Sequence, residues 1–547
     1  YMLTLRQHAH EVNGEQETFH YYREVLEPLF FETMNTQRPG NITRWEGIRI
    51  PYLNGGLFDE SRDPAGPIVL PDSLFDPNSH EGVLAFFNRY NFTIANDTPL
   101  EQDVAVDPEM LGKVFENMLE ERDRGQSGSF YTPRTIVAYM CQEALAGYLE
   151  ESAGVPRETT RTQFDPDAEL RYAPDEAERV NAALNTLTVL DPAVGSGSFL
   201  IGMLNEIIWL RRICHQVLTG EPEVPGPTLA DWKEAIIRDT LYGVDIKPEA
   251  IEIAQLRLWL ALVVDQTLEQ ARPLPNLDYK LMAGNSLIET IDGEPVLGEL
   301  AASILQPKPG MDWKHVNDQL KLFDPNPVQG RMLLFDEEKQ VEKERVALDE
   351  LRRSYFRATP EQRRALRDEI AKQERRIVFA SLKEKADKLQ AQVDHFGKLA
   401  AQAGGKLKAR EASKLKVAVE KLGRITQLQQ DMAKPDYVPP FFLYRLHFSE
   451  VFEHKGGFDI VVANPPYVHA GLITIQKPEL EAAFPKVYQG KADLYVYFFA
   501  KAIELLRRAG TLSFITSNKY LRAQYGAKLR GFLRDETEIQ TIIDFGD

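Results

Sequence analysis

The chain has 547 residues, 43% of them apolar, and a formal net charge of −18. That length suggests roughly three or four domains, and the acidic average argues against a polyanionic partner. Two cysteines, Cys141 and Cys214, exclude a disulfide framework and a cysteine-rich zinc site and fit a reducing cytosol, and no apolar run reaches the ~20 residues of a membrane span.

The first residue is Tyr1 rather than Met and no secretory leader pattern follows it, so a trimmed start is expected. Residues 1–125 mix helical patterns with turn-rich stretches such as "LNGGLFDESRDPAGP". Their clearest helix is "DPEMLGKVFENMLEE". Asp107 suits its cap, Pro108 its first turn, and Leu111, Val114, Phe115, Met118 and Leu119 its apolar face. After the polar loop "RDRGQSGS", Thr132 and Pro133 open a second helix in "FYTPRTIVAYMCQEAL".

From about 186 to 300 strands and helices alternate: "TLTVLD", "FLIGMLNEIIWLRRI", "LYGVD", "PEAIEIAQLRLWLALVV", then "YKLMAGNSL". Such alternation predicts an α/β fold, with a parallel sheet carrying helices on its faces. The pattern disappears between about 335 and 430. Thr359, Pro360 and Gln362 make a capping box there; Leu366, Ile370 and Ile377 share one helical face, as do Leu382, Leu389 and Val393, and Gly404-Gly405 marks a turn. Residues 341–430 hold 22 Lys and Arg against 13 Asp and Glu, so the acidic average hides a basic helical hairpin. Alternation resumes with the strand "FDIVVA", the helix "ADLYVYFFAKAIELLRRAG", the strand "TLSFITS", a helix near "LRAQYGAKLRGFL" and the strand "QTIIDFGD". A chain stopping on a strand predicts a C-terminal truncation. No internal repeat is evident.

Two stretches carry chemistry. In "VLDPAVGSGSFL", Asp191 ends a strand, and Ala193, Gly195, Ser196 and Gly197 lead into a helix. Glycines permit a tight turn and close backbone approach, and the helix start offers unpaired N–H groups. No Gly-Lys-Ser/Thr follows, and Leu200 stands where a dinucleotide fingerprint has its third glycine. A carboxylate there would repel pyrophosphate; it suits a cationic group such as the ammonium of S-adenosylmethionine. Asp245 ends the next strand and is placed to grip ribose hydroxyls, with Ile246 beside it for an adenine face. The bland alternatives are a plain strand–helix turn and a strand-end cap.

The second stretch, "DIVVANPPYV", stops a buried-looking strand at Asn464, Pro465, Pro466 and Tyr467. A turn accounts for the stop. In an open α/β sheet, however, ligands bind beyond the carboxyl ends of strands. There the Asn464 side-chain oxygen and the Pro465 carbonyl suit the two hydrogens of an exocyclic amine, and Tyr467 suits a planar base. A base inside a duplex would have to be flipped out to reach them.

These motifs resemble those of the S-adenosylmethionine-dependent DNA adenine-N6 methyltransferases. "NPPY" is similar to the amino-methyltransferase motif, with Asn favouring adenine over cytosine. The resemblance implies that Tyr131, Thr132 and Pro133 line the methionine end of the cofactor. It puts Asp245 on the ribose, Ile246 on the adenine, and Asn285 of "AGNSL", followed by Ser286, at the adenine edge. "DLYVYFFAKA" resembles the helix behind the active site, with Asp493 and Tyr495 as weaker candidates. The motif order resembles the gamma class. "IPYLNGGLFDE", "LGKVFENMLEE" and "GSFYTPR" resemble the large Eco57I-like enzymes, including single-chain restriction–modification proteins and BREX-type PglX. The implied layout is an N-terminal mostly helical region (1–125), a cofactor-binding half (126–334), the hairpin insertion (335–435) and a catalytic half (436–547). Double-stranded DNA, and other subunits of a defence system, are the implied partners, in a prokaryotic cytoplasm.

The departures are the long insertion and the lack of a target recognition domain, expected beyond Asp547. No nuclease signature of the PD…(D/E)xK type stands out in residues 1–130. Two readings stay open for the hairpin, a DNA-backbone contact or a solvated helical surface. His447, His454 and His469 lack metal-ligand spacing. The competing functions are a protein-glutamine or RNA methyltransferase and a non-catalytic DNA-binding component of a defence complex.

Overall fold

Strand–helix alternation leads to five parallel strands in one sheet: Val189–Asp191 (β1), Leu241–Asp245 (β2), Leu281–Ala283 (β3), Phe458–Ala463 (β4) and Leu506–Phe514 (β5), in the spatial order β3-β2-β1-β4-β5. β1 and β2 pair in parallel with Asp191 opposite Gly243. β4 and β5 pair in parallel from Phe458 opposite Leu506 to Ala463 opposite Phe514. Every residue of β1 and β4 is buried, as strands covered on both faces require. The structure is a computed structural model that describes residues 20–36, 38–43, 49–50, 52–53, 70–76, 82–85, 91–93, 103–105, 132–168, 171–263, 275, 277–297, 344, 347–348, 350–352, 354–355, 360–402, 407–434, 437, 439–473 and 476–545. The helix expected at Asp107–Glu121, the turn Gly404-Gly405 and the cap Thr359 lie outside these residues.

The chain divides into two units. The first comprises Tyr1–Arg124, Phe130–Gly243 and Lys247–Met282. Its early part holds a small core of Tyr21, Val25, Leu26, Leu29, Ile50, Phe75 and Leu84, tied by the Tyr21 N–H to Asp72 at 2.8 Å. The helices that follow include Arg134–Ala153 (α1), Pro174–Leu184 (α2), Ser198–Thr219 (α3) and Pro248–Val263 (α4). Helix α1 crosses α3 closely at Gly202, where a Cβ would fall 2.5 Å from Val137 Cγ1. Cys141 and Cys214 are buried here as core residues. Burial pushes the Cys214 thiol up to about 12 and Cys141 well above its ordinary value, so both are neutral and unreactive near pH 7.

The second unit comprises Gly125–Ser129, Val244–Ile246 and Ala283–Asp547. It carries a short antiparallel pair, Thr290–Ile291 with Glu294–Pro295, and two long helices, Pro360–Gln402 (α5) and Ala409–Met432 (α6), packed along each other. Ile370, Ile377 and Leu382 are buried on α5, and Ala418, Ile425, Leu428 and Met432 on α6. Beyond Leu382 no residue of α5 is buried, nor any of α6 before Ala418. Helix Tyr495–Leu505 (α7) and helix Ala527–Glu536 (α8) are among the later elements of this unit.

Two local expectations differ from the structure. Leu506 to Gly510 continue the helical sequence pattern but form the first half of β5. Arg507 donates to the buried Asp459 carboxylate, which also takes Lys455, and this pins the segment beside β4. A register irregularity and Ala509 at φ 60° absorb the mismatch. The predicted strand "QTIIDFGD" is not formed among the described residues 540–545, and Ile542, Ile543 and Phe545 stay exposed. β-Formers need a ladder partner, and no described strand pairs with them.

The root of the long helices is held by buried charge. Arg352 Nη1 donates to Leu446 O at 2.8 Å and Ser449 Oγ at 3.0 Å, and its Nη2 to Glu374 Oε1 at 2.6 Å. Burial pushes the Glu374 carboxyl up, but His447 and Arg352 more than offset it and hold it at about 2. A folded value below the ordinary ~4.3 of a glutamate gives stability that is fully present above pH ~4.3 and is lost as pH falls toward 2. Arg352→Met should therefore cost about 3–5 kcal/mol at pH 7 by denaturant titration. Glu374→Gln should also destabilise, with its deficit against the parent protein shrinking between pH ~4 and ~2. A deficit independent of pH would contradict this account.

Candidate functional site

The turn after β1 is built from its own atoms. Asp191 is only 1% exposed, and its Oδ1 accepts the Ala193 N–H at 3.0 Å. Val194 O accepts the Gly197 N–H at 2.8 Å. Gly195 and Gly197 have φ of 51° and 84°, conformations that side chains disfavour. At Gly197 a Cβ would also fall 3.0 Å from Ala254 Cβ of α4, whereas one at Gly195 would meet nothing within 4 Å. The backbone is thus packed shut on one side of the turn and open on the other. Helix α3 starts at Ser198, so its first N–H groups emerge here.

Arg257 of α4, to which no motif pointed, locks this turn. Its buried Nη1 donates to Ser196 O at 2.7 Å, Ser196 Oγ at 2.9 Å and Ser198 Oγ at 3.2 Å. The sequence did hold a signal: with Ala250, Ala254 and Leu258 buried around it, Arg257 falls on the apolar stripe of α4, and a buried guanidinium demands partners. The Ser196 hydroxyl thus accepts a hydrogen bond within this lock.

The other cofactor candidates sit as follows. Thr132 is buried, and Pro133 caps α1 with its carbonyl accepting the Ile136 and Val137 N–H groups. Tyr131 lies outside the described residues. In the second unit Asp245 ends β2 half-buried, its carbonyl accepting the Gly284 N–H at 2.8 Å. Ile246 beside it is 60% exposed. Asn285 Oδ1 accepts the Leu287 N–H at 3.2 Å, and Ser286 is buried. The Phe442 ring covers Gly284 so closely that a Cβ there would fall 2.6 Å from it. Asp245 and Asn285 are thereby brought to one pair of strand ends.

Asn464 follows β4 half-buried, Pro465 is buried, and Pro466 and Tyr467 are half-buried. Ala463 O accepts the Ile515 N–H at 3.2 Å, and Tyr467 Oη donates to Ile515 O at 3.3 Å. Burial pushes the Tyr467 hydroxyl up to about 12, so it is neutral near pH 7. The Tyr467 ring packs against Tyr495 of α7 at 6.2 Å between centroids, and Tyr495 shares a hydrogen bond with Tyr525 at 3.0 Å. Beyond Tyr467 the loop is tied again. Leu494 N–H donates to Val468 O at 3.0 Å, and Asp493 Oδ1 meets the Ala470 N–H at 3.3 Å and His469 Nδ1 at 3.1 Å. Asp493 and Tyr495 therefore hold the loop in place. The arrangement presents one carboxamide and one aromatic ring on a backbone with little freedom.

The sequence model of the Eco57I restriction-modification methylase family matches residues 239–547, and that of the MmeI DNA-methyltransferase domain matches residues 168–280. The chain is 27% identical over 531 residues to RM.MjaORFECS2P, a candidate type II restriction enzyme and methyltransferase of Methanocaldococcus jannaschii, covering 91% of this chain and 41% of that protein. It is 42% identical over 90 residues to the type II methyltransferase M.BstVI of Geobacillus stearothermophilus, 16% of each chain. It is 30% identical over 112 residues to the adenine-specific methyltransferase PglX of Streptomyces coelicolor, 18% of this chain and 9% of that one. The chain thus spans well under half the length of the first of these relatives. The family match takes in more than half of the chain, including Asp245, Asn285, Asn464 and four of the five sheet strands, and the chain belongs to the Eco57I restriction-modification methylase family.

Proposed function

We propose that the chain is the methyl-transferring part of a DNA methyltransferase that modifies the N6 amino group of adenine, with S-adenosylmethionine as donor. It would act on double-stranded DNA in the prokaryotic cytoplasm as part of a type II restriction–modification system, alone or with other defence subunits. The observation that carries this is the tied loop Asn464–Tyr467 at the end of the buried strand β4. Among the described residues no helix is long and apolar enough to cross a membrane.

The turn after β1 fits the donor. Asp191 supplies a buried carboxyl group, and the open side of Gly195 leaves backbone surface for a ligand. In this proposal Asp191, Ala193, Gly195, Ser196 and Gly197 hold the methionine end, with Tyr131, Thr132 and Pro133. Asp245 holds the ribose, and Ile246, Asn285 and Ser286 serve the adenine. When bound, the donor supplies an electrophilic methyl group. The chain's own work is orientation. Asn464 Oδ1 and the Pro465 carbonyl accept the two N6 hydrogens and draw the lone pair out of ring conjugation. Tyr467 stacks on the extruded base and offsets part of its unstacking. The hydrogen bond at Asn464 Oδ1 then orients the proton that N6 releases to water.

The similarity to PglX favours a second reading of the cellular setting, a BREX-type phage-defence system. Methylome sequencing of a host carrying the gene, with and without Asn464→Ala, reports the modified base. N6-methyladenine that disappears with the variant is expected; persistence of the mark, or methylation of cytosine, contradicts the assignment. Asn464→Ala should keep the thermal shift by S-adenosylmethionine, which amounts to about 2.7 kcal/mol at a hundredfold excess over Kd. Arg257→Met should weaken that binding roughly tenfold or more, because a charge-assisted hydrogen bond contributes about 1.5–3 kcal/mol. Unchanged affinity would remove Arg257 from the positioning machinery.

A further inference from the structure

The basic hairpin carries two kinds of charge, and the structure separates them along its length. Near the root, cations face acids of their own unit. Arg352 meets Glu374, Arg424 meets Asp292 at 2.7 Å, and Lys385 and Lys421 face Glu294 at 3.7 Å and 3.8 Å. Toward the far end the pattern changes. The described residues 394–402 and 407–416 hold Lys398, Lys408, Arg410, Lys414 and Lys416 against two acids, Asp394 and Glu411. Glu411 is engaged in accepting the Lys408 backbone N–H at 3.1 Å. Among the described residues only Lys416 has an ion pair there, with Glu420 at 3.9 Å. All five cations are exposed.

Distance weakens the hold of the root acids on this cluster. Along α6, Lys414 stands seven residues before Lys421 and Lys408 thirteen, and along α5 Lys398 stands thirteen beyond Lys385, rises of roughly 10–20 Å at ~1.5 Å per residue. At about 8 Å per Debye length in physiological salt, the acids around the root offset the field at the tip only in part. The tip also offers little for reading bases, since Phe396 is its one described large aromatic besides His395, and stacking on bases needs such rings. Arg410 and Lys414, four residues apart, share one face of α6, and exposed long cationic side chains suit phosphates.

We propose that the tip of the α5–α6 hairpin, through Lys398, Lys408, Arg410 and Lys414, grips the phosphate backbone of the DNA duplex without regard to sequence. This rests on the DNA-methyltransferase reading given above and adds to it a second, remote anchor that holds the duplex while Asn464 works on one base. The root of the hairpin is structural, and its charge contributes nothing to DNA binding.

The test is a quadruple variant, Lys398→Gln, Lys408→Gln, Arg410→Gln and Lys414→Gln, in the whole protein. Affinity for a 40-base-pair duplex is measured by fluorescence anisotropy across a NaCl series. The slope of log affinity against log salt should flatten by about 2–4, near 0.9 for each phosphate no longer neutralised. Thermal shift by S-adenosylmethionine and the methylation rate at saturating DNA should match the parent protein. A slope equal to the parent's overturns the proposal, including the case in which the tip serves an acidic protein partner. The same slope change from Lys385→Gln with Arg424→Gln at the root would overturn it as well. If the parent protein methylates no adenine in DNA, the enzymatic reading fails. If it methylates adenine and the slope is unchanged, only the tip proposal fails.

Discussion

A parallel strand buried on both faces has no water to satisfy its backbone, so another group must take over its last hydrogen bonds where it stops. Three strands of this chain meet that constraint in three ways. Asp191 at the end of β1 turns its own carboxylate onto the Ala193 N–H. The carbonyl of Asp245 at the end of β2 accepts from Gly284. Ala463 at the end of β4 accepts from Ile515, and Pro465 and Pro466 have no N–H to satisfy. Each stop places a polar side chain at a carboxyl end, where this class of sheet binds its ligands. The functional candidates are therefore consequences of how buried strands end.

Satisfying the strand ends does not by itself make them rigid, and the rigidity comes from groups distant in sequence. Arg257 locks the turn after β1 from the following helix. Ile515, Leu494, Asp493 and Tyr495 tie the loop after β4 from two later elements. In both places the lock uses groups that are buried and would be costly to leave unpartnered. The proposed site is thus surrounded by interactions that fix where Asp191 and Asn464 stand.

Charge is distributed by the same logic. Cations inside the second unit, such as Arg352, Lys501 and Arg507, each face a carboxylate, respectively Glu374, Glu289 and Asp459. They fix packing and leave little field outside. Among the described residues, one group of exposed cations with few acids beside it lies where the long helices leave the core. A chain of net charge −18 can still present a locally basic surface where long helices carry cations away from most of its acids.

Much of this was legible locally. Strand and helix periods, the prolines after β4 and the glycines after β1 are short-range signals, because they act through φ and through burial pattern. They located the five strands and the two stretches proposed to carry the chemistry. Pairings between residues far apart in sequence were not legible in that way. Leu506–Gly510 read as helix until Asp459, 48 residues before Arg507, claimed its side chain. "QTIIDFGD" read as strand because β propensity cannot report whether a partner edge exists. Arg257 looked like one more helical residue until the Ser196 turn came within 2.7 Å. Which residue types stand at the strand ends follows from nearest neighbours, and the linear chain is enough to name them. What holds those residues still, and where the hairpin keeps its charge, depends on groups that only folding brings together.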